Sequence, residues 1–239
     1  MTVRRLPLFR ACSIITVRRR HTLNIKKESA KAKKARFEKI NAYLEQKYPD
    51  AACSLEYKND PWKLLVMARL SAQCTDARVN IVSEELFRVF PDVYAFEKAD
   101  IPDIEKIIYP CGLYHTKAKS IKEMSVRIVN GFGGKVPDTY EELKSLPGVG
   151  SKIANLMLGD VFGKGGIVAD THCIRISNRL GLAASKNQSA VERSLGEIVP
   201  NHLQSDFCHR LVMFGREVCT ARNPDCENCG ISELCPKIK

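Results

Sequence analysis

The stretch from Leu143 to Leu158, "LKSLPGVGSKIANLML", decides how this chain is read. Leu146 closes one helix and Pro147 with Gly148 breaks it. Gly150 permits a tight turn, and Ser151 restarts a helix whose apolar members are Ile153, Leu156 and Met157. The reading is helix, hairpin, helix. A glycine hairpin that opens a helix presents backbone N–H groups without an internal partner at the positive end of the helix dipole, which suits a phosphate. Nothing larger than glycine lets a nucleic-acid backbone come as near. Gly148, Val149, Gly150 and Ser151 are therefore candidate DNA contacts. A bare G-x-G is more often an ordinary helix–helix corner, but the full "LPGVGSK" in this setting is far more specific.

The pattern on either side is helical. "KLLVMARL" follows Pro61, a residue suited to a first helical position, with Asn59 or Asp60 as cap. Val79, Val82, Leu86 and Phe90 recur at helical spacing behind Thr75, and Ala118, Ile121, Met124 and Ile128 do so in "TKAKSIKEMSVRIV". Thr139 and Glu142 form a capping box, and further helices are expected in "SAVERSLGEIV" and from Asp206 to Val218. Only the short "GIVAD" reads as strand. The class is all-α, and Trp62, Phe87 and Phe90 fall on apolar helix faces as core.

Charge is unevenly spread. Of 38 basic and 27 acidic residues, the first 40 positions hold 13 basic and two acidic, which leaves 25 of each for the rest. The net charge of +11 is thus carried by the first 40 positions, within which residues 1–30 read as a basic, disordered tail able to bind phosphate through counterion release. No apolar run approaches the roughly 18 residues of a membrane span, and Met1 to His21 lacks the apolar centre of a secretory signal. A soluble, intracellular protein without a membrane partner is expected: cytoplasm or nucleoid if bacterial, with organellar or nuclear targeting left open by the Arg-rich start.

In such a compartment ten cysteines argue for metal or redox chemistry rather than disulfides. Four of them, Cys219, Cys226, Cys229 and Cys235, crowd the end of the chain with six, two and five residues between them. Four thiolates suit zinc or an iron–sulfur cluster equally on spacing alone. The other six are scattered and read as small buried or incidental residues.

"LPGVGSKIAN", "VADTHCIRISNRLGL" and the C-x6-C-x2-C-x5-C ending, together with "LSAQCTDARVN" and "CGLYHTKAKSI", resemble the endonuclease III family, bifunctional DNA glycosylases and abasic-site lyases of the helix-hairpin-helix superfamily. The likeness covers roughly Lys39 to the end. It implies a [4Fe–4S] cluster on the four terminal cysteines, pinning a loop with Arg216 and Arg222 against DNA phosphates. It makes Lys152 the nucleophile that attacks the sugar C1′ of a flipped nucleotide. The helix start and nearby desolvation would favour the neutral amine that role needs. Asp170 becomes the carboxylate that stabilises developing positive charge, and it doubles as a helix N-cap. Gln73 is implied as the residue that fills the hole left by the flipped nucleotide and Leu113 as the wedge inserted into the stack, while His172 carries a structural role.

The implied architecture is two helical domains around a DNA cleft. A helical barrel over 54–164 contains the helix-hairpin-helix motif at about 140–159, and residues 31–53 with 165–239 form the second domain and the cluster loop at 219–235. The implied partner is double-stranded DNA with damaged bases, mainly oxidised pyrimidines, or abasic sites, bound by a monomer. Two rival readings are a monofunctional adenine glycosylase of the same superfamily and a non-catalytic DNA-binding module. The first lacks a lysine at the position of Lys152 and carries a further C-terminal domain, whereas this chain ends four residues after Cys235. The second has no use for Lys152 and Asp170 together.

Overall fold

The computed structural model describes residues 28–236, so the basic tail up to residue 27 lies outside the described residues. Residues 28–30 are within them. Ser29 caps α1 (Ala30–Lys47) by accepting from the amide of Ala32, and Glu28 pairs with Arg36. Residues 28–30, which composition placed in the tail, thus belong to the folded part through these partners.

Among the described residues eleven α-helices follow one another and there is no strand. "GIVAD" forms an extended connection instead. Ile167 and Ala169 are buried, and the Ile167 carbonyl accepts from Asn155 Nδ2 at 2.8 Å rather than from a neighbouring strand. Alternation alone could not reveal that the segment has a side-chain partner and no ladder.

Two apolar cores divide the helices. The first runs from Leu55 to Met157 and is built on α2 (Pro61–Leu70), α3 (Asp76–Val89), α4 (Val93–Lys98), α5 (Ile101–Ile108), α6 (Tyr114–Phe132), α7 (Tyr140–Ser145) and α8 (Ser151–Asp160). Asp60 caps α2 by accepting from the amides of Trp62 and Lys63. Leu64, Leu65, Val66, Met67 and Leu70 are all essentially inaccessible. A helix apolar on every side must sit at the centre, and α2 does. Phe96 packs edge-on against Trp62 with ring centroids 5.4 Å apart.

The second core joins α1 to α9 (Thr171–Arg179), α10 (Gln188–Gly196) and α11 (Gln204–Glu217). Phe37 of α1 meets Phe207 of α11 edge-on at 5.2 Å. The chain thus leaves this half after α1 and returns to it after α8. The halves meet where α8 touches α11. No helix of the described residues is long and apolar enough to cross a membrane.

Candidate functional site

The hairpin is built by the residues that were read for it, with one change of role. Helix α7 starts on Thr139, whose hydroxyl accepts from the amide of Glu142 and lies 2.7 Å from its carboxylate. It ends at Leu146. Gly148 has φ +79°, and a Cβ there would lie 2.7 Å from Arg69 Nε and 3.0 Å from Ser120 Cβ, so this is the position that demands glycine. Gly150 does not make the turn. Its φ is −93°, and a Cβ on it would meet nothing within 4 Å. It is the N-cap of α8, no side chain caps the helix, and its bareness leaves open space in front of the first-turn amides. Val149 is buried, and its amide donates to the Leu146 carbonyl at 3.1 Å, so its part is to hold the hairpin together. Tyr140 donates its hydroxyl to Ser151 Oγ at 2.9 Å, tying α7 to α8.

Lys152 and Asp170 line one cavity of about 400 Å³ between the two cores. Lys152 stands in the first turn of α8 and is exposed. The burial expected around its amine is therefore not supplied by the protein alone. Asp170 is the N-cap of α9, and its Oδ1 accepts from the amide of Cys173 at 2.7 Å. Among the described residues no donor takes Oδ2, which leaves one carboxylate oxygen for the cleft. His172 stays out of it: its Nδ1 lies 3.3 Å from Arg175 Nη2, and burial pushes its pKa down, against the charge of Asp170. It is a half-buried packing partner of α11, filling the space in which a Cβ on Gly215 would stand.

Gln73 and Leu113 do not line that cavity. Both are exposed, and both adopt left-handed backbone, with φ +56° and +49°. For residues other than glycine this conformation costs about 1–2 kcal/mol, and such strain gathers where a site needs a side chain aimed.

In and beside the cleft, which His209 helps to line, stand residues that sequence reading passed over. Asp160, at the end of α8, accepts from Ser205 Oγ, and His209 Nε2 lies 3.0 Å from each of its carboxylate oxygens. These contacts clamp the helix of Lys152 to α11. Polar residues breaking the apolar faces of α8 and α11 were the available signal. Cys53 lines the same cavity, but burial pushes its thiol up to about 12, so it stays protonated and is no rival nucleophile at neutral pH. Arg216 lines this cleft too, from the last turn of α11. It does not belong to the cysteine loop as expected, because the helix continues through it.

The four terminal cysteines line a second cavity, of about 440 Å³, with Arg179, Phe214, Arg222 and Ile231 among its walls. A single tetrahedral ion holds four sulfurs within about 2.3 Å of one point. No group of three or more His, Cys, Asp or Glu converges that closely among the described residues. A roomy cavity ringed by four thiols fits a cluster better than one zinc. Arg179 Nη1 lies 3.4 Å from Cys219 Sγ, a donor suited to sulfur carrying negative charge. No disulfide is present among the described residues.

Residues 66–201 match the family model for HhH-GPD superfamily base excision DNA repair proteins, and residues 219–235 match that for the iron-sulfur binding domain of endonuclease III. The chain is 42% identical to endonuclease III of Synechocystis sp. over 209 residues, which cover 87% of this chain and 95% of that protein. Its fold superposes on endonuclease III in a non-covalent complex with DNA at a TM-score of 0.79 and 35% identity, covering 84% of this chain and 94% of the other. The match to endonuclease III in a trapped covalent DNA intermediate has the same TM-score, identity and share of this chain, and covers 95% of the other.

Proposed function

Because the chain belongs to the endonuclease III branch of the HhH-GPD superfamily of base excision DNA repair proteins, we propose that it excises oxidised pyrimidines from duplex DNA and then cuts the strand at the abasic site. The protein is a DNA glycosylase and abasic-site lyase with a [4Fe–4S] cluster. The observation that carries the residue assignment is the shared cleft of Lys152 and Asp170, brought together from 18 positions apart by the hairpin helix and the cap of α9.

The chemistry follows from what each group can do. A base inside the stack is out of reach, so the nucleotide must be turned out of the helix, and Gln73 and Leu113 are the side chains that would occupy the space it vacates. Hairpin amides at the start of α8 hold the backbone phosphate. The neutral Lys152 amine attacks C1′, the glycosidic bond breaks, and the base departs with its electron pair and takes up a proton. Opening of the sugar ring gives a Schiff base, loss of the C2′ proton expels the 3′ phosphate, and water then hydrolyses the imine to release the enzyme. Asp170 stabilises the positive charge that grows at C1′. Cys219, Cys226, Cys229 and Cys235 would hold the cluster, whose bonds to sulfur cross-link this segment into a fixed loop. The non-catalytic reading leaves the pairing of Lys152 with Asp170 in one cleft without a purpose.

Borohydride should trap wild-type protein on an abasic duplex, and Lys152→Gln should abolish trapping while still binding that duplex, since the hairpin amides survive. Asp170→Asn should slow base excision by roughly 10²-fold or more, the usual scale for a positioned charge. Trapping of Lys152→Gln at the wild-type level would make another amine the nucleophile.

A further inference from the structure

Lys117, four residues into α6, is fully buried. Its ammonium donates to the carbonyl of Leu70 at 2.8 Å and to that of Cys111 at 2.9 Å. Among the described residues no carboxylate pairs with it, and burial pushes its pKa below the ordinary lysine range. A buried cation without a counter-ion is costly, and a methionine of the same length would fill the space without that penalty.

The two acceptors show what the lysine obtains. Leu70 is the last residue of α2, and Cys111 is the last of the single 3-10 turn Tyr109–Cys111. The chain runs three residues from Leu70 to Gln73 and two from Cys111 to Leu113. Both of those residues are exposed with left-handed backbone. One ammonium therefore fastens together the ends of two elements, each of which leads at once into a strained, projecting side chain. The carbonyls at such ends have no intrahelical donor, and a neutral apolar residue could not satisfy them.

We propose that Lys117 is a positioning residue that fixes the separation of Gln73 and Leu113, so that both enter the opened duplex in one step. The proposal rests on the reading that those two side chains occupy the vacated stack. Lys117 touches neither DNA nor the reacting atoms. Its effect should therefore appear where the duplex must be opened and vanish where there is no duplex.

The full chain is tested on two abasic substrates, a duplex with 2-aminopurine opposite the abasic site and the corresponding single strand. Lys117→Met should lower the 2-aminopurine fluorescence change and reduce duplex cleavage by roughly 10- to 100-fold, the scale of a misplacement of about 1 Å. Borohydride trapping on the single strand should stay near wild type. Lys117→Arg keeps the charge but not the length, folds without an empty site, and should lower the duplex-to-single-strand ratio in the same direction. Gln73→Ala and Leu113→Ala run alongside. If they leave duplex opening unchanged, the underlying reading of those residues fails. If they abolish it while both Lys117 variants keep the wild-type ratio, whether by full activity or by equal losses on both substrates, the role given to Lys117 is overturned.

Discussion

Residues spread from 52 to 216 line the cleft around Lys152, whereas the pocket around the four cysteines is closed by residues 179–180 and 214–235. One cavity is assembled from both halves of the molecule, and the other is almost a local loop. The cleft keeps a carboxylate oxygen, an amine and a helix start facing outward, groups that substrate must satisfy. The pocket is knitted inward. Arg175 and Arg179 of α9 bond the carbonyls of Cys219, Thr220 and Ala221, and Arg36 of α1 reaches that of Leu234 at 3.2 Å. Helix α9 joins the two regions, with Asp170 at its start in the cleft and both arginines on the loop. The cleft is thus tied through α9 to the loop that carries the four cysteines.

The largest expected effect tests that link. Cys226→Ser should lose the visible absorption of sulfur-bound iron, release the loop that anchors α9, and lower base excision by roughly 10²-fold or more through displacement of Asp170. Lys152→Gln should lose the chemistry yet keep both colour and melting temperature. Visible spectra, iron content and thermal melts of the two variants give the comparison. A Cys226→Ser protein without iron that excises bases at the wild-type rate would separate the regions, and one stoichiometric zinc in colourless wild type would remove the cluster.

How much of this could be read in the sequence follows the same division. The cysteine loop spans 17 positions, from 219 to 235, and spacing carried it as far as a choice of metals that only the resemblance narrowed. The hairpin and the caps at Asp60, Thr139 and Asp170 were legible because a cap needs only a residue and the amides two or three places on. Asp160 with His209 was not legible, since 49 positions separate them and their pairing exists only once α8 crosses α11. Lys117 was only half legible. Helical spacing puts it on the apolar face, four and seven places before Ile121 and Met124, but a lysine there ordinarily carries its ammonium out to water, and nothing local shows that this one is fully buried while Lys119 is exposed.

A smaller effect separates fold from binding within the hairpin itself. Gly148→Ala places a Cβ against Arg69 on left-handed backbone and should destabilise the protein by about 1–3 kcal/mol. Gly150→Ala adds a methyl to open space with φ −93° and should leave the stability within about 1 kcal/mol of wild type. It should nonetheless weaken binding to an abasic duplex, because the methyl stands where a phosphate approaches the amides. Wild-type melting temperatures for both variants would show that the hairpin tolerates a side chain at both positions.

The smallest effect belongs to the other region and depends on pH. Arg36 donates from Nε and Nη2 to the two carboxylate oxygens of Glu28, each at 2.8 Å, and these bonds hold the Glu28 pKa below the usual carboxylate range. A carboxylate whose pKa is depressed on folding adds stability that is present above its unfolded value, near about 4.3, and is lost as pH falls through the folded value. Glu28→Gln keeps the shape and removes the charge, so at pH 7 it should melt below wild type. The gap should amount to about 1 kcal/mol, since Arg36 keeps its bonds to Leu180 and Leu234 and a glutamine can still accept from it, although the two side chains are only 5% and 12% exposed. Lowering the pH through the carboxylate range protonates wild-type Glu28 and makes it resemble the variant, so the two melting curves should converge. Excision at pH 7 should not change, because the pair supports the second core and the loop rather than the cleft. A gap that persisted unaltered into acid would mean that packing, not charge, holds Glu28 to Arg36.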